Sequence, residues 1–434
     1  MKKVVLTVAT LLALTTGWAQ VKRDTTRSGG PIYYENSIGP ANGAAPRRAT
    51  PATKTTPTTA PYESRGLKLE EINFVSSYYH QDGNNSAITG GIGTEKLTDV
   101  ANSFDLTLSA VDRKGRQHYL NIDANIDYYT SASSDNIDPV FSGASRSDVH
   151  IYPSVSWRVF NPTTRVTKGF SYAYSTEYDY RSHGFTAQFA KLSADRNREV
   201  SVRASAFLDT YDAILPAELR PSYYGSGSHS DRTRVDSKPR QTFNLALSVS
   251  QVINKRLQVL GTFEPSFQQG LLSTPFHRVY FTDGTVTTER LPGTRLKFPV
   301  SIRANYFQGD HAILRTFYRF YVDDWGMVAH TANVEVPIKL TAFLSISPFY
   351  RFHTQTAVNY FRPYGQHDPK LLYHTSDYDI GNISTQFVGT GIRMAPPGGV
   401  LGIRPWQSLE LRYGHYLRST GLTANIVTLL VKVK

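Results

Sequence analysis

Apolar and polar side chains alternate with a period of two residues through most of the chain after Gly66. From Leu120 to Tyr128, for example, Leu, Ile, Ala, Ile and Tyr are interleaved with Asn, Asp, Asn and Asp. A period of two places the two sets on opposite faces of a β-strand. Repeated along a chain, such strands predict lipid on one side and water on the other, as in a transmembrane antiparallel up-and-down β-barrel.

The alternation divides into about sixteen strand candidates of roughly ten to fourteen residues, the length that a tilted strand needs to cross a bilayer. They are predicted at Leu67–His80, Asn102–Val111, His118–Thr130, Val149–Phe160, Gly169–Tyr180, Phe185–Ser193, Glu199–Asp209, Thr242–Ile253, Arg256–Phe267, Arg295–Phe307, His311–Val322, Met327–Ile338, Thr341–His353, Tyr378–Arg393, Trp406–Leu417 and Thr423–Val433. Long links follow odd-numbered candidates and short links follow even-numbered ones. Long outer loops and tight periplasmic turns are typical of outer-membrane barrels, so both barrel termini are predicted in the periplasm.

A soluble all-β sandwich or propeller is the competing interpretation of an all-strand sequence. Soluble strands average about five or six residues, and the candidates here are roughly twice as long. The strand length therefore favours the membrane barrel.

Composition narrows the classes of function. The 434 residues contain no cysteine, which excludes disulfides, thiol catalysis and thiolate metal sites. Mean hydropathy is −0.34, and no apolar run after the N-terminal segment reaches the roughly 18 residues that a spanning helix needs. The net charge of +12 is not concentrated in a nucleic-acid-binding motif, so we expect no nucleic-acid partner.

Three segments follow one another along the chain. Residues 1–19 have a basic start, an apolar stretch and the small residues Gly17 and Ala19, which predict a signal peptide cleaved after Ala19 and export by the general secretory route. Residues 20–65 are rich in Pro and Thr and predict a disordered periplasmic tether. Residues 66–434 are predicted to form a single outer-membrane β-barrel.

Several segments resemble a known family. They are Ser76–Gly83, Gln269–Tyr280, Leu291-Pro292 with Arg295, Tyr318–Gly326 with His330-Thr331, and Tyr350–Gln355. Through them the chain from Gly66 onward resembles the Gram-negative family catalogued as domain of unknown function 3570. The resemblance implies an outer-membrane barrel with no established activity. Because members tend to be encoded beside flavin-transferase-like and thioredoxin-like proteins, it also implies an envelope redox protein as a partner, and it transfers no catalytic residue.

If the apolar set faces lipid, the polar set lines the lumen. An acidic lumen wall is then predicted on the early strands, at Asp105, Asp123, Asp127, Glu177 and Asp179. A basic lumen wall is predicted on the later strands, at Arg303, Arg315, Arg319 and Arg351, with Glu335 among them. In a closed barrel of about sixteen strands the two walls face each other, and their transverse field orients dipolar solutes and concentrates counter-ions. The alternative is that these charges pair with neighbours, Glu335 with Arg319 or Arg351 for instance, and simply fill the lumen.

The block Asp323-Asp324-Trp325-Gly326 is interpreted as a tight extracellular turn. Trp325 is expected to anchor the turn at the membrane interface, and the aspartates are expected to cap backbone amides. No catalytic residue, metal site or cofactor is predicted. A barrel-embedded hydrolase needs a serine, a histidine and an orienting polar group at the outer rim, and the sequence marks no such set.

The predicted function is that of a passive outer-membrane channel for small hydrophilic solutes, not an enzyme. Its expected surroundings are outer-membrane lipid and lipopolysaccharide. Two alternatives stay open. One is a non-conducting scaffold whose outer loops or tether dock an envelope partner, such as a redox protein, and the other is an outer-membrane hydrolase.

Overall fold

The computed structural model of the chain describes residues 66–130, 147–177, 179–212 and 238–434. The predicted signal peptide, 1–19, and the predicted tether, 20–65, lie outside the described residues. Both assignments therefore stay predictions.

The described residues form a closed all-β barrel of sixteen antiparallel strands, as the sequence predicts. The strands are β1 Lys68–Asp82, β2 Leu97–Val111, β3 Gln117–Thr130, β4 Ser147–Ile151 with Ser154–Asn161, β5 Val166–Thr176, β6 Tyr180–Leu192, β7 Arg198–Tyr211, β8 Lys238–Asn254, β9 Leu257–Phe263 with Ser266–Gly270, β10 Thr294–Gln308, β11 Ala312–Asp323, β12 Val328–Glu335 with Ile338–Lys339, β13 Leu344–Gln355, β14 Ile383–Met394, β15 Trp406–Arg418 and β16 Thr423–Val433. Each strand pairs with its neighbours in sequence. β1 closes the barrel by pairing with β16, from Ile72 opposite Val433 to Asp82 opposite Thr423.

Three strands are interrupted, and each interruption contains a proline. The gap in β4 contains Pro153, the gap in β9 contains Pro265 and the gap in β12 contains Pro337. Proline has no N–H to donate to a neighbouring strand, so it breaks the hydrogen-bond ladder locally. The strand continues beyond each proline because the flanking residues keep their partners.

The links differ at the two ends of the barrel, which we call the loop end and the turn end. Links after odd-numbered strands lie at the loop end and include the three longest described loops, loop A (83–96), loop B (271–293) and loop C (356–382). Links after even-numbered strands lie at the turn end and are short, except for 395–405. The three described long loops follow odd-numbered strands, as predicted, whereas the links 177–179, 324–327 and 419–422, which also follow odd-numbered strands, are short. The other two predicted long links lie mostly outside the described residues.

Five predicted strand boundaries are wrong by four residues or more. Three strands, β2, β6 and β8, begin earlier than predicted, at Leu97, Tyr180 and Lys238 instead of Asn102, Phe185 and Thr242. Two other candidates are too long at one end. The candidate Gly169–Tyr180 ends at Thr176, because the chain turns over 177–179 and begins β6 at Tyr180. The candidate Tyr378–Arg393 begins only at Ile383, because Tyr378–Ile380 form a 3-10 turn after Asp377, whose side chain caps it by accepting from the Asp379 amide. Both errors fall where the loop chemistry overrides a run of suitable residues.

The outward face of the strands carries the apolar set. Large apolar side chains are about half exposed there, for example Ile126 (47%), Trp157 (52%), Phe170 (52%) and Ile302 (51%). A continuous band of this kind is stable against hydrocarbon and unfavourable in water. Among the described residues no helix is long and apolar enough to cross a membrane.

Loops A, B and C fold into the mouth at the loop end instead of standing away from it. The inward side chain of Gln81 donates to the Glu95 carbonyl of loop A at 2.8 Å, and that of Gln355 donates to two carbonyls of loop C at 2.9 Å. Loops B and C meet through a bridge between Phe281 and His367. The loops therefore rest on the inner wall and on one another.

Candidate functional site

The predicted basic wall lies on the later strands. Arg303 is on β10, Arg315 and Arg319 are on β11, and Arg351 is on β13. All four alternate with apolar residues that face outward, such as Ile302 and Tyr318. The guanidinium of Arg303 lies 5.5 Å from the centre of the Phe317 ring, and that of Arg319 lies 5.9 Å from the centre of the Tyr321 ring.

Glu335 is not bound to Arg319 or Arg351, the two partners that the sequence suggested. Its Oε1 lies 3.7 Å from Arg315 Nη1, which is its cross-strand neighbour, and 3.2 Å from Arg412 Nη1 on β15. β12 and β15 are three strand spacings apart, about 14 Å along the sheet. Two side chains can join over that span only on the concave, inner side of a curved sheet, which places this charged set inside the barrel.

Arg412 has room for this contact because β14 carries glycine beneath it. A Cβ atom at Gly391 would lie 3.1 Å from Arg412 Cγ and 3.3 Å from Arg412 Nη1. Arg412 also binds Glu410 Oε1 at 2.8 Å. Arg412 was not among the predicted lumen residues, although it alternates on β15 with the exposed Leu411 and Tyr413, a pattern that indicates an inward-facing side chain.

The mid-barrel part of the acidic wall is a direct carboxylate pair. Asp105 of β2 and Asp123 of β3 are cross-strand partners. Asp105 Oδ1 accepts from Asn73 Nδ2 at 2.9 Å, and Asp123 Oδ2 accepts from Ser154 Oγ at 2.7 Å. β3 and β11 are eight strands apart in a closed barrel of sixteen, so this pair and the arginines of β11 lie on opposite walls.

Two more residues of the predicted acidic wall, Asp127 and Glu177, meet at the loop end around His150. His150 Nδ1 lies 3.8 Å from Asp127 Oδ2 and 3.8 Å from Glu177 Oε1, and all three side chains are buried. Asp127 Oδ1 also accepts from Tyr152 at 2.9 Å. The sequence predicted that Glu177 and Asp179 lie on a strand, and this prediction is wrong. β5 ends at Thr176, and both residues lie in the short link to β6.

A serine completes this cluster. The Ser175 hydroxyl lies 2.7 Å from His150 Nε2, on the opposite side of the imidazole from the two carboxylates. A hydroxyl, an imidazole and carboxylates in this order are the parts of a nucleophilic hydrolase site, but the 3.8 Å separations are longer than hydrogen bonds. No such set was predicted from the sequence, because Asp127, His150 and Ser175 lie on three different strands and Glu177 lies in the link after β5.

The Asp323-Asp324-Trp325-Gly326 block is a tight turn between β11 and β12, with Gly326 at φ +87°. Asp323 Oδ1 accepts from the amides of Trp325 and Met327, each at 3.0 Å, which confirms that it caps the turn. Its Oδ2 accepts from Arg295 Nε at 2.9 Å and also from Arg295 Nη2. Asp324 Oδ1 accepts from the Leu296 amide at 2.9 Å.

Trp325 is not an interfacial anchor, because only 3% of it is exposed. Its ring lies 4.3 Å beneath the Arg295 guanidinium, and its Nε1 donates to the Thr294 carbonyl at 2.9 Å. It packs in a buried cluster with Met327 and with Val358 of loop C. Trp325 therefore fixes loop C to the inner wall.

Charged residues also hold the loops in place. Arg418, at the end of β15, binds Asp379 of loop C at 2.7 Å and Glu95 of loop A at 3.1 Å. In loop B, His277 and Glu289 lie side by side because the short hairpin of Arg278–Tyr280 with Val286–Thr288 joins them. Asp377 of loop C faces both, and one ligand atom from each of the three lies within 4.8 Å of the others.

The wall away from these loops is lined by small hydroxylic side chains. Thr186 of β6 and Ser205 of β7 lie 2.9 Å apart, as do Ser201 of β7 and Ser248 of β8. These bonds join neighbouring strands and run along the wall. About eight strands is the size of barrel that interior side chains alone can fill, so a sixteen-stranded barrel is wide enough to hold water or inserted loops as well.

Fold and inner wall together define a class of protein: a closed up-and-down β-barrel with an apolar outside and a polar, charged inside. Within it, the chain belongs to the family described as "Protein of unknown function (DUF3570)", which matches residues 153–400. Four of the five segments that carry the resemblance lie inside the match, and Ser76–Gly83 precedes it.

Solved structures with a similar strand arrangement include outer-membrane porins. OccK2 (OpdF) of Pseudomonas aeruginosa is 8% identical, with 85% of this chain and 98% of that chain covered and a TM-score of 0.40. A BenF-like porin from Pseudomonas fluorescens Pf-5 is 7% identical, with 85% and 98% covered and a TM-score of 0.41. A bacterial polysaccharide outer membrane secretin is 9% identical, with 84% and 98% covered and a TM-score of 0.41. Nothing about function rests on likenesses this distant, and no curated protein matches the sequence.

Proposed function

We propose that the protein is a passive outer-membrane channel for small hydrophilic solutes. The observation that carries the proposal is the polar inner wall, where hydroxylic and charged side chains bond to one another along the surface of a sixteen-stranded barrel. A barrel of this width is of the size that holds water in porins. The outward apolar band supplies the complementary face for lipid and lipopolysaccharide.

The acidic and basic residues lie on opposite walls, so the proposed channel has an electric field directed across the pore. Asp105 and Asp123 lie on the wall opposite Arg315 and Arg319. Opposed charges in a low-dielectric wall produce a transverse field that orients dipolar solutes. Glu335 and Glu410 offset part of the basic charge, so we expect a moderate anion preference rather than exclusion of cations.

Reconstitution in a planar lipid bilayer tests the proposal. The purified full-length protein, checked for folding by its heat-modifiable gel mobility, should produce steady unitary conductance steps. A bilayer that stays sealed after verified insertion of folded protein would contradict the proposal. A mock preparation from cells without the protein is the control for contaminating porins.

The cluster of Ser175, His150, Asp127 and Glu177 favours one second candidate function, ester or lipid hydrolysis at the loop end. The 2.7 Å contact between Ser175 Oγ and His150 Nε2 supports it. Hydrolysis of a short-chain chromogenic ester by the detergent-solubilised barrel, lost in Ser175→Ala and retained in Ser182→Ala, would establish it. Equal activity in the two variants, or none in the parent protein, would exclude Ser175 as a nucleophile.

A further inference from the structure

Loops B and C bring a buried imidazole and two buried carboxylates to one point. His277 Nδ1 lies 3.7 Å from Glu289 Oε1 and 3.9 Å from Asp377 Oδ2. The side chains are exposed by only 5%, 3% and 9%, respectively. We propose that His277, Glu289 and Asp377 bind a single divalent transition-metal ion of the Zn²⁺ class, which clamps loop B to loop C.

The separations of the three ligand atoms fit one small ion. Two ligands about 2.1 Å from a tetrahedral zinc ion are about 3.4 Å from each other. The observed 3.7 and 3.9 Å exceed that value by a few tenths of an ångström, and both exceed ordinary hydrogen-bond lengths. All three ligand atoms lie within 4.8 Å of one another, so a small inward movement of the side chains would supply three of the four ligands of a tetrahedral ion and leave the fourth position for water.

The surrounding groups orient the carboxylates as a second layer around a metal does. Glu289 Oε1 accepts from the Thr375 hydroxyl, and Oε2 accepts from the Thr274 amide, both at 2.6 Å. Asp377 Oδ1 accepts from the Asp379 amide at 2.9 Å, which leaves Oδ2 directed at His277. Both oxygens of Glu289 are therefore held by neighbouring groups, Asp377 is oriented by the Asp379 amide, and one oxygen of each carboxylate faces the imidazole.

The ligand types select the class of ion. Imidazole suits zinc and other first-row transition metals, and carboxylates suit harder divalent ions. One imidazole with two carboxylates is therefore a mixed site for Zn²⁺, with Mn²⁺ and Co²⁺ as usable substitutes.

Direct titration tests the site. Full-length protein stripped with a chelator is titrated with Zn²⁺ against a chromophoric indicator, and with Co²⁺ for its visible absorption. We expect one ion per chain, weakened at least about 100-fold by His277→Ala, Glu289→Gln or Asp377→Asn and about 10- to 100-fold by Thr375→Val. His374→Ala, which removes a loop C histidine outside the cluster, should bind normally.

Each outcome decides the proposal even if a variant fails to fold. Folded parent protein that takes up no ion overturns it, as does uptake that all three ligand variants retain. A restored site in His277→Cys, with the intense charge-transfer absorption of Co²⁺–thiolate, supports direct ligation at this position. This result does not depend on conduction, so a sealed bilayer would leave it standing.

Discussion

Arg412 of β15 and Glu335 of β12 form an ion pair at 3.2 Å across the inner surface of two intervening strands. The pair is mostly shielded from water, since the two side chains are 19% and 14% exposed. The ion pair joins strands that share no backbone hydrogen bonds, so it stabilises the curvature of the sheet. It also affects the net charge of the inner wall at this position.

Replacing Glu335 should weaken this region and raise its positive charge. Glu335→Gln removes the carboxylate from Arg412 and Arg315 while Glu410 still binds Arg412, so we expect a loss of about 1–3 kcal/mol. Thermal unfolding followed by heat-modifiable gel mobility measures it, and anion preference should rise. Glu264→Gln, at an exposed position, is the control; equal melting temperatures would contradict the role of Glu335.

Neutralising the basic wall should change ion selectivity. In the triple variant Arg315→Gln, Arg319→Gln, Arg351→Gln, the cation-to-anion permeability ratio should rise about 10-fold at low ionic strength. Reversal potentials under a salt gradient measure this ratio. The shift should shrink near 1 M salt, where the screening length is about 3 Å. The matched triple lysine variant should keep the parent ratio, and unchanged potentials in the glutamine variant would mean that these residues do not line the path.

Asp323 and Asp324, in the turn between β11 and β12, should contribute differently to the stability of the protein. Asp323→Ala leaves buried Arg295 without its carboxylate and frees two amides of the turn, so we expect a loss of about 3–5 kcal/mol. Asp324→Ala in the same turn removes one bond from an exposed residue and should cost about 0.5–1.5 kcal/mol. Unfolding midpoints of the two variants give the comparison, and similar midpoints would refute it.

Acid should loosen the packing of loop C. Burial, together with nearby His374, lowers the pKa of His367 from 6.5 to about 4. An opened loop would bind a proton more readily than the packed one, so the contribution of His367 is complete above pH 6.5 and is lost as the pH falls towards about 4. Arg362 also faces His367, and burial raises the Glu95 pKa in loop A, which acts in the opposite sense.

Amide hydrogen exchange of loop C between pH 7 and pH 4, corrected for intrinsic rates, measures this loosening. The acid-dependent part of the exchange should be reduced in His367→Gln, whereas His118→Gln, at the turn end of β3, should behave as the parent protein. An identical pH profile in the His367 variant would rule out its contribution.

Single nitroxide labels test which face meets lipid, since the chain has no native cysteine. Labels at Ile122 and Val249, both on the outward face, should relax faster with lipid-soluble oxygen. Labels at Asp123 and Ser250, the adjacent inward positions, should respond to a water-soluble nickel reagent. The reverse accessibility would contradict the proposed orientation in the membrane.

The strands were predictable because lipid and water impose a two-residue pattern on each strand locally. Alternation around Ile122 and Asp123 identifies β3 without knowledge of any other strand. The prolines at 153, 265 and 337 interrupt their strands only briefly, so the alternating pattern of each strand is still recognisable in the sequence.

The contacts inside the barrel were less predictable because they depend on curvature and on loop packing. Arg412 meets Glu335 only because the sheet curves inward, and Trp325 is buried only because loop C covers it. His277, Glu289 and Asp377 come together from two loops that have no periodic pattern. The local sequence around each of these residues carries no information about such long-range contacts.

The pairing of β1 with β16 also dictates how the wall is completed. The Ser77 and Thr428 hydroxyls, 3.1 Å apart, are separated by 351 residues of sequence. Until those ends meet, any partly built form has two unsatisfied edges, and open edges in hydrocarbon are costly. Pairing of β1 with β16 is consequently the last and most cooperative step of barrel assembly. Destabilising substitutions in either terminal strand should delay assembly more than equally destabilising substitutions halfway along the chain.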